Sequence, residues 1–220
     1  MTTMPRLPLT LATMALALPG CGGPKTLALP TDPVEQAATC GVVAAAEARV
    51  GQPPAEIAKP LPLPAQGHIL HYALLAGTAA EPFSRDRVAA VVARMPQIGD
   101  QVTKGKWQTL VPACAAAYPQ AVQTAPVTLP ANPLDAQLSC YTLAAFLDKA
   151  LSAQGNSYVA EFARYDAMRR NLDQRIGAKL AAKGKSSAES QADERSERLG
   201  AAAKLGPPAK VMDACLAQYG

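Results

Sequence analysis

Cysteine spacing limits what this chain can fold into more tightly than any other feature of its 220 residues. The segment LPTDPVEQAATC, residues 29–40, recurs as LPANPLDAQLSC, residues 129–140, with Leu, Pro, Pro and Cys identical at an offset of one hundred. Four further positions keep their chemistry: Asp32 with Asn132, Val34 with Leu134, Glu35 with Asp135 and Thr39 with Ser139. PACAAAYP around Cys114 and DACLAQYG around Cys215 also agree, sharing Ala-Cys and then Ala and Tyr at an offset of 101. A register held to one residue at both ends reads as one unit used twice.

The shared opening is a helix start. Asp32 or Asn132 is placed to cap the first free N–H groups, Pro33 or Pro133 takes the first helical position, where no N–H is needed, and an acid at N3 faces the positive end of the helix dipole. In the second copy Leu134, Leu138, Tyr141 and Ala145 recur at helical spacing, which predicts a helix to about Ala153. Each unit closes with a short helix carrying its second cysteine, restarted or kinked at Pro112 in the first copy and started by Pro207 and Pro208 in the second. Four cysteines allow three pairings. Only Cys40 with Cys114 and Cys140 with Cys215 lets each unit be self-sufficient; the rival is four buried free thiols. A bridge closing about 75 residues is worth about 4.5 kcal/mol in the chain-entropy model.

The apolar fraction is 49% but the aromatic fraction only 5%, with alanine dominant, which favours closely approaching helices over a sheet. The predicted fold class is all-α: two tandem disulfide-stapled helical repeats, each of about three to four helices. The interiors of the copies differ. GQPPAEIAKPLPLPAQG, residues 51–67, holds five prolines and predicts an extended, solvated excursion. A short helix from about His68 to Ala76 is expected next, then one capped by Ser84, stapled by Phe83 and Val88 and ended by Pro96. In the second copy a long helix is expected from about Ser157 to Lys183. The segment from Ser187 to Gly206 reads as a polar helix with only Ala188, Ala192, Leu199 and Ala203 to bury. Three prolines in Ala125–Pro133 predict a stiff, extended linker.

The N-terminus reads as an export signal: Arg6, then the apolar run Leu7–Leu18. Twelve helical residues rise about 18 Å, too little for a bilayer core of about 30 Å. Ala15-Leu16-Ala17 fits ordinary signal peptidase, which would release a soluble periplasmic or secreted protein. Leu18-Pro19-Gly20-Cys21 just beyond resembles the lipobox of bacterial lipoproteins, with Pro19 where a small residue is usual. That resemblance implies a lipid on Cys21 and attachment to a membrane of the cell envelope. Cysteine arithmetic agrees, since removing Cys21 from five cysteines leaves an even four.

Signals for chemistry are sparse. The only histidines, His68 and His71, stand at i, i+3, weak candidates for a metal site that lacks a third ligand. There is no G-x-S-x-G, C-x-x-C, H-E-x-x-H or phosphate-binding glycine loop, so no catalytic residue and no cofactor is assigned, although Glu47, Glu56 and Glu81 are free to serve a hydrolase. Trp107, Tyr118 and Tyr219 read as packing residues. A net charge of +4 gives no reason to expect a nucleic-acid partner. One basic face is open to a functional reading: Arg164, Arg169, Arg170, Arg175, Lys179 and Lys183, which suit anionic headgroups or an acidic envelope protein, or simply form the solvated side of a helix with Asp166 paired locally.

The expected layout is a signal peptide over 1–20, an N-terminal linker over 21–28, repeat 1 over 29–122, a Pro-rich linker over 123–132 and repeat 2 over 133–220. The architecture is similar to that of small envelope proteins such as periplasmic acid chaperones and toxin immunity proteins, which work by binding. The expected function is a non-enzymatic binding or structural lipoprotein of the envelope. The alternative is an envelope hydrolase with its active site in a cleft between the repeats.

Overall fold

In the computed structural model, which describes residues 27–220, the regular elements are helical and no strand occurs among the described residues. The expected signal peptide and the lipidation expected at Cys21 lie outside the described residues. The first half contains α1 (Pro33–Glu47), the single turn α2 (Pro54–Ile57), α3 (Leu63–Thr78), α4 (Arg85–Thr103) and α5 (Val111–Ala117). The second contains α6 (Pro133–Leu151), α7 (Val159–Ala182), α8 (Ala188–Leu205) and α9 (Pro208–Tyr219). Short 3₁₀ turns, Trp107–Leu110 and Ser152–Tyr158, lead into α5 and α7.

The two opening helices start alike. The Asp32 carboxylate accepts from the N–H groups of Val34 and Glu35, both at 3.0 Å. Asn132 Oδ1 accepts from those of Leu134 and Asp135, at 2.9 and 3.3 Å. Each helix is the centre of its half: α1 packs on α3 and α4, and α6 on α7 and α8. The acid at N3 is held by an arginine from a later helix, Glu35 by Arg94 at 2.7 Å and Asp135 by Arg198 at 3.1 Å. Disulfides join Cys40 to Cys114 and Cys140 to Cys215, with Cα–Cα distances of 5.5 and 5.6 Å and all four cysteines buried. Two buried bridges indicate an oxidising, extracytoplasmic environment. No described helix is long and apolar enough to cross a membrane.

Two boundaries and one burial pattern differ from the sequence reading, each because tertiary packing overrides a local signal. The helix expected from His68 begins at Leu63. Pro62 and Pro64 stand at its N-cap and first turn, where proline is tolerated, while Leu61 and Leu63 between the prolines are buried. Pro96 does not end α4, which runs on to Thr103. The ring lies on the exposed side, and Ile98 and Val102 beyond it are buried. In α8, Ala188 and Ala192 are exposed, and burial is confined to its second half: Leu199, Gly200, Ala202 and Ala203.

The halves meet along one seam, where α3 packs on α8 and α9. Their buried side chains form one continuous core. Small residues allow the close approach. A Cβ added at Gly200 would lie 2.7 Å from Phe83 Cδ2, and one at Gly67 would lie 3.5 Å from Pro208 Cβ. Tyr158 donates its hydroxyl to the Leu61 carbonyl at 2.5 Å, and Arg85 Nε donates to Ser196 Oγ at 3.1 Å. Residues 123–132 form no helix and are tied to α9, where Lys210 Nζ donates to the carbonyls of Gln123 and Thr124.

Candidate functional site

Helix α7 buries one stripe, Tyr165, Met168, Leu172, Ile176 and Leu180, at the i, i+3, i+4 spacing that one helical face requires. Burying that stripe sorts the six cations of its basic face. Arg169 turns inward: its guanidinium donates to Asp166 at 3.0 Å, lies 3.6 Å from Asp148 and sits 5.3 Å from the centroid of the Tyr141 ring. Lys179 Nζ donates to Gln137 Oε1 at 3.2 Å. Both therefore fasten α7 to α6. Arg164, Arg170, Arg175 and Lys183 point to solvent.

Two of these four line a groove of about 560 Å³ between α7 and the end of α9. Arg170, Asn171, Gln174 and Arg175, at i, i+1, i+4 and i+5, present guanidinium and amide groups from α7, and Gln218, Tyr219 and Gly220 form the opposite rim. No Asp or Glu side chain lines it. Among the described residues Arg170 and Arg175 form no ion pair. The Gln218 amide donates to the Tyr219 hydroxyl at 3.1 Å, which holds the rim together. Sequence reasoning found the cations of this groove but not its amide half, because Gln218 and Tyr219 reach it only through the packing of α9 on α7.

A second pocket, about 430 Å³, opens on the seam between the halves. Glu81, Phe83 and Thr78 line it from the first half, and Glu197 and Lys204 from α8. Here Glu197 Oε1 accepts the Phe83 N–H at 3.1 Å, so one of the two carboxylates positions the backbone of its neighbour. The other two carboxylates considered for hydrolysis lie elsewhere. Glu56 pairs with Lys59 on α2 at 2.8 Å, and Glu47, near the end of α1, has its pKa raised by burial. The structure does not bring Glu47, Glu56 and Glu81 into one pocket.

His71 is fully buried in the seam. Its Nε2–H donates to the Ala203 carbonyl of α8 at 2.7 Å, which leaves Nδ1 as the bare nitrogen, and that atom has no hydrogen-bond partner. Burial pushes its pKa down to about 4, the Ala203 carbonyl opposing and the neighbouring His68 adding to the fall. Burial also lowers that of His68, whose ring lies 5.4 Å from Tyr72. His71 spends Nε2 on α8, and no group of three metal-ligating side chains occurs among the described residues.

Trp107, Tyr118 and Tyr219 pack against the core, and Tyr118 meets Tyr72 edge to face at 5.4 Å. Burial raises the phenol pKa values of Tyr72 and Tyr118 to about 12, so neither is an acid or base at neutral pH. No protein-family model, curated protein or solved structure matches the chain.

Proposed function

We propose that this chain is an exported cell-envelope protein of two tandem disulfide-tied helical units, anchored by a lipid on Cys21 and acting by binding rather than by catalysis. The observation that carries this reading is the pair of buried bridges. A chain that relies on two core disulfides must fold where thiols oxidise, and the fifth cysteine then belongs to a different chemistry. The lipobox-like Leu18-Pro19-Gly20-Cys21 supplies one.

The tandem reading rests on more than the repeated letters. Opening cap, bridge and the ion pair from the N3 acid to a later arginine recur in both halves. Binding is favoured because the α7–α9 groove offers donors without a nucleophile or base, and the seam pocket uses Glu197 as a backbone acceptor.

Substituting Cys21→Ser tests the anchor. Metabolic fatty-acid labelling is expected to vanish and the protein to move from the membrane to the soluble fraction. Unchanged partitioning with no label in the wild type would overturn the lipid anchor and leave the soluble periplasmic form.

A further inference from the structure

We infer that the α7–α9 groove is a phosphate-binding site, which takes the phosphoryl group of an ester as its ligand. The inference rests on the reading of this protein as a binding protein and names the chemistry that one of its surfaces accepts.

The argument starts from charge. Three acids share α7 with the cations, and the one that pairs, Asp166, is taken by Arg169, which also draws in Asp148 from α6. Glu161 and Asp173 form no ion pair among the described residues. Inward-facing Arg169 thus takes up Asp166 and Asp148, while Arg170 and Arg175 on the outer face form no ion pair among the described residues. Guanidinium is weakly hydrated and carries a rigid fork of donors, which matches oxyanions in bidentate geometry.

The other lining groups narrow the ligand. Asn171, Gln174 and Gln218 add amide N–H donors. A carboxylate ligand has two oxygens and one charge. A phosphate monoester has three terminal oxygens and up to two charges, so it can engage both guanidinia and still accept from an amide. The volume, about 560 Å³, leaves room for the group that the phosphate esterifies. Because the amides accept as well as donate, they suit a hydroxyl-bearing alcohol portion such as glycerol.

The chemistry comes from two sources, a soluble phosphate monoester or the monoester headgroup of a lipid such as phosphatidic acid, and the experiment separates them. Purified Cys21→Ser protein, which carries no lipid of its own, is titrated with glycerol 3-phosphate, inorganic phosphate and acetate by NMR chemical-shift mapping. The same protein is sedimented with phosphatidylcholine vesicles that contain phosphatidic acid, or with vesicles of phosphatidylcholine alone. Glycerol 3-phosphate is expected to shift the amides of Arg170–Arg175 and Gln218–Tyr219, with acetate at least about tenfold weaker. Arg170→Gln with Arg175→Gln is expected to weaken phosphate binding about tenfold or more. Arg164→Gln with Lys183→Gln removes the same charge outside the groove and should leave binding intact. All four positions are exposed, so folding is preserved.

Saturation by glycerol 3-phosphate without vesicle binding assigns a soluble ester, and vesicle binding that the groove pair abolishes assigns a lipid headgroup; both support the site. Equal losses from the two double variants, or no phosphate-dependent shift and no vesicle binding, would overturn it. The binding-protein reading is tested separately, by non-reducing pull-down from membranes: a partner retained by the groove double variant keeps that reading while the phosphate site falls.

Discussion

The two halves begin and end alike and differ in what their second long helix does. In the first half α3 buries ten of its sixteen residues, from Leu63 to Gly77, and presents surface to α1, α4, α8 and α9 at once. In the second, α7 buries five of twenty-four and leaves its outer face to solvent. A helix that is apolar nearly all round belongs inside, and one with a single stripe belongs at the surface. In the tandem reading the duplicated frame therefore carries two different jobs: the first unit supplies the seam that joins the halves, and the second supplies the cationic groove. The lesson is that cap, bridge and ion pair set the frame, while the helix between them sets the role.

The largest expected effect tests whether the frames are equivalent. Replacing both cysteines of a bridge with alanine should cost about 4.5 kcal/mol in either half, because the closed loops span 74 and 75 residues. Chemical denaturation of the two double variants measures it. Similar losses support two equivalent units within one continuous core. A loss of under about 1 kcal/mol from one pair alone would show that its half is held by packing instead, and would break the parallel.

Acidification should separate the halves at the next level of effect. Folded His71 has its pKa depressed to about 4 from 6.5, so below pH 6.5 the unfolded chain binds more protons than the folded one. Its contribution is therefore complete above pH 6.5 and is lost as pH falls through the window to about 4, by up to about 3 kcal/mol. His68 acts in the same direction. His71→Gln keeps a donor for the Ala203 carbonyl but does not titrate, so its stability should fall less over this window. An identical slope in the variant would show that His71 does not carry the acid sensitivity.

What could be read from the sequence was chemistry that acts over a few residues. Asp32 and Asn132 cap their helices because their side chains need only reach two or three residues ahead. The Phe83–Val88 staple and the start of α9 at Pro207 and Pro208 are local in the same sense. The continuation of α4 through Pro96 was not legible, since the helix survives there on the burial of Ile98 and Val102 against distant partners. Nor could the six cations of α7 be sorted: Arg169 is separated from Arg170 by Asp148 and Tyr141, residues of another helix. The groove was visible as a run of charge, and its amide rim only once α9 was in place.

Two glycines bring the contrast to single atoms. Gly200 lies in α8 at the seam, where an added Cβ would stand 2.7 Å from Phe83 Cδ2 and 3.0 Å from Cγ. Those ring atoms sit near the root of the side chain and cannot swing aside without moving Phe83, whose N–H is bound to Glu197. Gly200→Ala should therefore cost about 1–3 kcal/mol as overpacking, despite the better helix propensity of alanine. Gly177 lies in α7 with nothing within 4 Å of the same point. There the substitution should stabilise by about 0.5–1 kcal/mol, through helix propensity and a less flexible unfolded chain. Thermal melts of the two variants, run side by side, compare seam with groove helix. A neutral Gly200→Ala would mean that Phe83 is loosely held and the seam is adaptable. A destabilising Gly177→Ala would mean that the outer face of α7 is covered in solution, which would put the freedom of the groove itself in question.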